Sequence, residues 1–325
     1  MALTYTPVNK TGKHAGEIFA EVVEAANTTA KDLIQFYDNV KDEVYLTSMT
    51  GKANFRRYKE DIRETDFARY TDTLAAADQK LQPSKMTSIV FFKMDDLKGT
   101  RFGGTKPGAG NIDSPEFETA VKKYLTPLFA KGFEEQIWSG ITIEGKAAIA
   151  ASNLATVNEK AWAAAQNPTE DDIVDGLIVK MILKRTLTVS ASGIITTSNI
   201  KTSYESVLSA APSAAVGNSA FTLFAPHSHK LMIDMFNINQ TYRDLFKVNG
   251  DTYTFLNKPI EFVPVPEDTI VGGLNKEFGA ATDLLSDSVA FEINKVNNVG
   301  DQKFGKLTCS LDTGIVVPTQ KVLLK

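Results

Sequence analysis

The chain has 325 residues and a formal net charge of −4, with 43% hydrophobic and 23% charged residues. This length suits one large domain or two interleaved ones, and the composition allows a packed core and excludes a globally disordered or collagen-like chain. A protein that reads DNA sequence normally carries a basic excess for phosphate contacts, so this mildly acidic chain is expected at most to enclose DNA that it does not hold tightly.

The chain contains one cysteine, Cys309, so an intramolecular disulfide is excluded. The residues around Cys309 alternate as in a strand, which predicts a small buried hydrophobic side chain rather than a nucleophile. The N-terminus has no apolar run typical of a signal peptide, and no window reaches the length of about 18 apolar residues of a membrane span. The sequence therefore predicts a protein made and kept in a cytoplasm, with no membrane partner.

The N-terminal third is predicted to contain a helix and then extended structure. Helical spacing of apolar residues predicts a helix over 15–37, and alternation predicts strands over 44–49 and 85–93. Residues 99–113 are rich in glycine and predict a flexible joint between this extended region and the rest of the chain.

The clearest predicted element is a helix over 114–138. Ser114 can cap it, and Pro115 stands where the first helical residue tolerates proline. Pro127 is expected to kink the helix, because it removes a ladder hydrogen bond. One apolar stripe runs along it at steps of three and four, formed by Phe117, Val121, Tyr124, Leu125, Leu128, Phe129 and Phe133.

The remaining elements alternate irregularly between helix and strand, which predicts an α+β fold. An alanine-rich helical stretch is expected over 146–166, followed by a helix that starts at Thr169 with Asp172 as its acidic capping partner. Further predictions are helices over 200–210 and 227–237, a strand over 221–224, a hairpin over 252–265 that turns near Asn257-Lys258, and strands over the last 40 residues.

Leu311-Asp312-Thr313-Gly314 resembles the active-site triplet of aspartic proteases. That chemistry requires two aspartates that share a proton, and the chain has one such triplet. A second aspartate would have to come from a dimer, so we interpret the segment as a turn between strands with Gly314 at positive φ.

Other motifs are weaker candidates for chemistry. The glycines at 103–110 lack the Gly-Lys-Ser/Thr ending of a phosphate loop. His227 and His229 have too few companion ligands for a zinc site and are interpreted as surface residues at a helix start. The adjacent acids Asp95-Asp96 and Asp171-Asp172 are typical of turns or first helical turns. The sequence therefore predicts no catalytic residue, no cofactor and no metal site, and the chain is not expected to be an enzyme.

One charged stretch is a candidate contact surface. Acidic and basic residues interleave between Phe55 and Tyr70, which favours a protein–protein contact or a solvated face over nucleic-acid binding. The predicted inter-subunit contact residues are Arg56, Arg57, Lys59, Asp61, Arg63 and Glu64.

Four segments after residue 113 together resemble the Hong Kong 97-type major capsid proteins of tailed phages. They are the helix 114–138 ending in Trp138-Ser139-Gly140, the segment Asp175-Gly176 with the helix 200–210, the strand and helix from Asn218 to Pro226 and beyond, and Lys258-Pro259-Ile260 with the proline-marked loop after it. The first 113 residues match that family in layout only.

The resemblance implies an α+β capsid fold with an N-terminal arm, a projecting extended loop within 44–105, a spine helix, a peripheral domain and an axial domain. The implied division is 1–113 for the arm and extended loop, 114–170 for the spine helix and first part of the peripheral domain, 171–281 for the axial domain, and 282–325 for the returning peripheral strands. No scaffold-like segment precedes the arm, so no fused, cleaved prodomain is expected.

The resemblance also implies a function and partners. Copies of the chain would form hexamers and pentamers of an icosahedral head around phage double-stranded DNA, assembled in the host bacterial cytoplasm and found in the virion. The implied partners are other copies, portal and scaffold proteins, decoration or minor capsid proteins, and DNA bound without sequence specificity. Alternatives are an encapsulin-like compartment, a phage tube or sheath protein, and a hydrolase that uses Asp312.

Overall fold

A computed structural model describes residues 8–11, 13–51, 74–93, 115–184, 194–238, 245–283, 290–295, 302–316 and 322–324. Its helices are α1 Lys13–Ala25, α2 Asn27–Ala30, α3 Pro115–Ser139, α4 Ile143–Ala151, α5 Val157–Ala165, α6 Leu177–Lys184, α7 Ile200–Ala210, α8 Ser213–Val216 and α9 Ser228–Ile238, with a 3-10 turn at Asn275–Glu277. Its strands are β1 Val8–Thr11, β2 Gln35–Tyr37, β3 Val44–Gly51, β4 Leu74–Leu81, β5 Ser84–Lys93, β6 Phe221–Ala225, β7 Phe246–Asn249, β8 Thr252–Phe255, β9 Lys258–Phe262, β10 Ile270–Leu274, β11 Phe278–Ala281, β12 Ala290–Lys295, β13 Gln302–Ile315 and β14 Val322–Leu324.

The strands form a main sheet, a second sheet and a separate ribbon. In the main sheet the order is β1-β12-β13-β11-β2, and β5 also pairs with β13. The second sheet has the order β14-β10-β6-β9-β8-β7. Strands β3 and β4 form an antiparallel two-stranded ribbon, paired from Val44 opposite Leu81 to Gly51 opposite Leu74.

Helix α3 packs with the main sheet around the larger of the two cores. Its buried side chains Leu125, Phe129 and Phe133 share this core with side chains of α1, α6 and the inward face of β13. The burial pattern of β13 alternates over Gln302–Lys306, as expected for a strand with one face on a core. The predicted helix and its apolar face are therefore present, although Tyr124 and Leu128 of the predicted stripe are 51% and 41% exposed.

The second sheet has its own core, in which aromatic rings dominate. Tyr204 of α7 packs edge-on against Phe246 of β7 at 5.3 Å between ring centroids, and Phe246 lies 4.6 Å from Phe255 of β8. The second sheet also contributes to the larger core: Phe224 of β6 lies in it, with 5.0 Å between its ring centroid and that of Trp138 of α3.

A junction of short contacts joins the end of α3 to α6 and β13. The amide of Gly176 donates to the carbonyl of Gly140 at 2.8 Å. The carboxylate of Asp175 accepts from the amide of Thr142 at 2.8 Å, and the carbonyl of Asp175 accepts from the hydroxyl of Thr313 at 2.7 Å. Two segments that carry the resemblance, 138–140 and 175–176, thus meet in space.

Several local predictions are wrong. The helix predicted from Thr169 begins at Leu177 instead: Asp172 does accept from the Thr169 amide at 2.7 Å, but that bond closes a turn. The helix predicted over 15–37 consists of α1 and α2 and is followed by the strand β2. The hairpin predicted near Asn257-Lys258 is, in contrast, present between β8 and β9, and its two turn residues Leu256 and Asn257 both have positive φ.

One part of the segment 44–105, within which the extended loop is predicted, belongs to the main sheet. Strand β5 pairs with β13 over ten residues, from Ser84 opposite Leu311 to Lys93 opposite Gln302, and so belongs to the main sheet. Strands β3 and β4 pair with each other and not with the main sheet, and residues 52–73 and 94–105 lie outside the described residues. Helix α6, which was assigned by sequence to 171–281 with the second sheet, packs in the core of α3.

Candidate assembly elements

The predicted contact residues Arg56, Arg57, Lys59, Asp61, Arg63 and Glu64 lie between β3 and β4, outside the described residues. The structure describes the two strands that lead to them and return from them. A ribbon of eight residue pairs is about 25 Å long at the rise of an antiparallel strand. The ribbon root, defined here as Val44–Thr47, Asp78–Leu81 and the following Gln82, is the part whose contacts with the body are visible.

Two leucines seat the ribbon root on the main sheet. Leu46 and Leu81 are 1% and 0% exposed and pack with Ala281 and Val316. Beneath them lie Gly279 of β11 and Gly314 of β13, which are direct partners in the sheet. A Cβ at Gly279 would lie 2.5 Å from Cδ1 of Leu46, and one at Gly314 would lie 2.5 Å from Cδ2 of Leu81.

This glycine pair makes a steric seat for the ribbon. Contacts of 2.5 Å between carbon atoms are far inside van der Waals distance, so any side chain at either position would push a leucine away. The absence of both Cβ atoms is therefore what lets the root lie directly on the strands.

Polar contacts hold the same root from the side. The carboxylate of Asp312 accepts from the backbone amide of Gln82 at 2.8 Å and from Nζ of Lys180 on α6 at 2.7 Å. Lys180 also donates to the carbonyl of Thr313, and Lys184 donates to the side-chain carbonyl of Gln79 on β4. Burial lowers the pKa of Lys184, and the neighbouring charge of Lys180 lowers it further.

The turn predicted at Leu311-Asp312-Thr313-Gly314 is wrong. These residues lie inside the 14-residue strand β13, and the positive-φ glycine of the described residues is Gly250. The sequence signal was misleading because the pair Asp and Gly is typical of turns, whereas here the glycine is required by two leucines more than 200 positions away. Asp312 is engaged in an ion pair and a backbone hydrogen bond, an arrangement that favours a structural role over the shared proton of a protease.

The two histidines of the 227–229 segment differ in environment. His227 is exposed, whereas His229 of α9 is fully buried, with Nδ1 3.3 Å from the hydroxyl of Tyr204. Burial lowers the pKa of His229 to about 4, against a smaller opposing effect of the Asp268 charge. The prediction of two surface residues at a helix start is therefore correct for His227 and wrong for His229.

Among the remaining candidate motifs of the sequence, Cys309 lies in the part of the chain that the structure describes. Cys309 is 4% exposed, which confirms the prediction of a buried side chain, and this burial raises its pKa to about 12. The glycines at 103–110 and Asp95-Asp96 lie outside the described residues. Within the described ranges, no three His, Cys, Asp or Glu side chains are grouped as metal ligands, and no helix combines the length and apolarity needed to cross a bilayer.

Helix α9 exposes a stripe of apolar side chains on the second sheet's surface. Leu231, Met235 and Ile238 follow one another at steps of four and three and are 65%, 49% and 73% exposed. Val248 of the edge strand β7 is 41% exposed and, with Ile238, lines a cavity of about 420 Å³ between α9 and β7. Spacing of this kind was not recognised in the sequence because an outward apolar stripe has the same period as a buried one.

Comparison with solved structures identifies the fold. A chain of the procapsid of satellite phage P4, a particle that includes the size determination protein, superimposes with a TM-score of 0.54 at 11% identity, over 95% of this chain and 98% of that chain. A capsid chain of an empty GTA particle gives a TM-score of 0.51 at 10% identity, over 93% and 89% of the two chains. No protein-family model matches the sequence, and no curated protein is similar to it in sequence.

These likenesses extend over 93–95% of this chain and 89–98% of the matched chains. The chain has the α+β fold of Hong Kong 97-like capsid proteins. The fold predicted from the sequence is therefore confirmed.

Proposed function

We propose that the chain is the major capsid protein of a tailed bacteriophage, which assembles as hexamers and pentamers into an icosahedral head around double-stranded DNA. The observation that carries the proposal is the capsid fold, which extends over 95% of the chain and 98% of the P4 procapsid chain. The proteins with TM-scores of at least 0.5 described above are capsid components, which supports a structural rather than an enzymatic role.

The proposal assigns a part in assembly to each described unit. The β3–β4 ribbon is the extended loop, α3 is the spine helix, the main sheet with α1 and α6 is the peripheral domain, and the second sheet with α7 and α9 is the axial domain. The proposed order of these parts along the chain stays 1–113, 114–170, 171–281 and 282–325, except that α1, β5, α6 and β11 belong to the peripheral domain.

The physics of the ribbon supports assembly. Among its described side chains, Leu46 and Leu81 are the buried ones, whereas Tyr45, Thr47, Asp78 and Lys80 are exposed. A ribbon about 25 Å long, of whose described side chains only Leu46 and Leu81 are buried, gains stability when it lies on a neighbouring copy, because isolated hairpins are marginal in water. The interleaved charges of 56–64 would then set the register between copies.

The apolar stripe of α9 supports contacts between axial domains. Three large apolar side chains in a row on a helix cost free energy when they face water, and large patches of this kind mark interaction surfaces. A ring of five or six copies would cover the stripe with the same domain of the next copy.

Further partners follow from the proposal. A head requires a portal, and its assembly requires scaffold proteins, while decoration or minor capsid proteins are additional candidate partners. The acidic net charge of −4 fits a lining that encloses DNA without sequence-specific contacts. The proposed location is the virion, after assembly in the host bacterial cytoplasm.

Two alternatives remain testable. An encapsulin-like compartment of the same fold would form shells loaded with a cargo enzyme in uninfected cells, and a tube or sheath protein would form open tubes.

Sedimentation velocity of the purified chain tests self-assembly, which all of these functions require. We expect species of at least five copies of the 35.5-kDa chain. A single species of one chain under all assembly conditions would contradict self-assembly.

A further inference from the structure

Three separate parts of the chain converge on one carboxylate at the ribbon root. Asp312 belongs to β13 in the main sheet, Gln82 follows the last residue of the ribbon, and Lys180 belongs to α6. The side chains of Lys180 and Asp312 are 17% and 20% exposed, so their ion pair is shielded from most of the solvent. A shielded pair is weakened less by salt than an exposed one.

We propose that Asp312 is a latch that sets the angle at which the β3–β4 ribbon leaves the body. Each of its two oxygens has a separate task. Oδ1 accepts from Lys180 and from the amide of Thr313, at 2.7 Å in both cases, which fixes the carboxylate on the body. Oδ2 accepts from the amide of Gln82 at 2.8 Å, which fixes the end of the ribbon to the carboxylate.

The latch acts together with the apolar seat. Leu46 and Leu81 on the Gly279–Gly314 pair determine where the root rests, and backbone pairing with β13 resumes at Ser84, two residues beyond Gln82. The Asp312 bond to Gln82 lies between these two contacts and fixes the short segment through which the ribbon could turn relative to the sheet. The hydrogen bond from Lys184 to Gln79 adds a second polar fixation on the same strand as Leu81.

A fixed angle has a consequence for assembly, which rests on the proposed function. The far end of a 25 Å ribbon moves by about 4 Å for each 10° of rotation at its root, a shift comparable to the spacing of about 4.8 Å between neighbouring strands. A ribbon without its latch would therefore meet a neighbouring copy in many registers. The expected result is fewer closed particles, not a loss of folding.

Spin labels on the full-length chain test the latch directly. We place them at Met49→Cys on β3, beyond the ribbon root, and at the exposed Glu24→Cys on α1, and Cys309 stays unlabelled because it is buried. Asp312→Ala is expected to broaden the distance distribution between the labels at least twofold. It is also expected to speed hydrogen exchange at the Gln82 amide at least tenfold, while the amide of Leu307 in the main sheet keeps its rate.

Lys180→Met is the second variant, because it removes the ion pair of Asp312 and keeps a side chain of similar length at position 180. We expect it to broaden the distance distribution between the labels less than Asp312→Ala does. Asp251→Ala is the matched control, since it removes an aspartate that pairs with Lys230 at 3.1 Å on the second sheet. A distribution that stays as narrow as wild type in both Asp312→Ala and Lys180→Met would overturn the latch.

Assembly of the same variants separates the latch from the proposed function. If the wild-type chain forms closed particles and Asp312→Ala forms at least fivefold fewer with a broadened ribbon, both proposals are supported. A broadened ribbon with an unchanged yield of closed particles overturns the consequence for assembly. A wild-type chain that never assembles contradicts the proposed function, whereas the label distances still decide the latch.

Discussion

The glycine pair Gly279 and Gly314 shows how single residues position a whole ribbon. Each glycine lies in a strand and none of its backbone angles demands glycine, so the requirement comes from Leu46 and Leu81 above the pair. Such a requirement is invisible to local sequence patterns, because the glycines and the leucines are far apart along the chain.

Gly314→Ala is expected to destabilise the fold by about 1–3 kcal/mol, since the new Cβ must displace Leu81 in a packed contact. The measurement is the free energy of unfolding in urea. Gly132→Ala on α3 is the control: nothing lies within 4 Å of a Cβ there, so the helix should gain roughly 0.5–1 kcal/mol from the better helix former. Equal free energies of unfolding for Gly314→Ala and wild type would show that the packing of Leu81 does not require glycine at position 314.

His229 is expected to make the stability of the second sheet's domain depend on pH. Burial holds its pKa at about 4, below the 6.5 of an exposed histidine. Between those values the unfolded chain binds a proton that the folded chain does not, so the stabilisation is complete above pH 6.5 and is lost as the pH falls towards 4. The difference amounts to about 3 kcal/mol at 1.36 kcal/mol per unit.

His229→Gln is expected to flatten this dependence, and unfolding curves at pH 4, 5, 6 and 7 measure it. His227→Gln, two residues earlier at an exposed position, should keep the wild-type dependence. An unchanged slope in His229→Gln would show that other groups cause the loss of stability in acid.

At the scale of elements, a buried polar network joins α2 to α3. Oε1 of Glu134 accepts from both the amide and the hydroxyl of Thr28, at 2.9 and 2.6 Å, and the Thr28 hydroxyl accepts from Nε1 of Trp138 at 2.9 Å. Every bond of this network is buried, so the loss of one partner leaves others unsatisfied.

Thr28→Val is expected to lower the free energy of unfolding by about 1–3 kcal/mol, because the indole of Trp138 loses its acceptor in a dry site. Chemical denaturation measures the change. Thr47→Val on the exposed face of β3 makes the same chemical replacement without a buried partner and should stay within about 0.5 kcal/mol of wild type. Equal effects of both substitutions would exclude a special role for the network.

Long elements were the predictable part of the fold. The helix predicted over 114–138 is Pro115–Ser139, and the strand predicted over 85–93 is Ser84–Lys93, because each carries several periods of its apolar pattern. Strands β2 and β11 were missed, since they have three and four residues and pair with each other across more than 200 positions. The α6 start was misplaced because Asp175 and Gly176 are used in contacts with Thr142 and Gly140.

Of the elements proposed to act in assembly, some could be predicted from the sequence and others only from the structure. The charged residues 56–64 were recognisable from their pattern, but they lie outside the described residues and their role stays a prediction. The latch and the glycine seat were not recognisable, because tertiary contacts create them.

For the molecule as a whole, we expect that assembly can be lost without loss of folding. Arg56→Glu with Arg57→Glu is expected to reduce particle yield at least tenfold, because reversed charges oppose the partner surface of a neighbour. Circular dichroism and the urea midpoint should match wild type, and analytical ultracentrifugation measures the yield. Full assembly of this double variant would show that the stretch is a solvated face.

The most direct measurement is cryo-electron microscopy of the expressed, purified full-length chain. The account predicts closed icosahedral particles, or rings of five and six copies, in which the β3–β4 ribbon of each copy lies on the next. Open tubes, or a monomer whose ribbon folds back on its own subunit at every concentration, would contradict it.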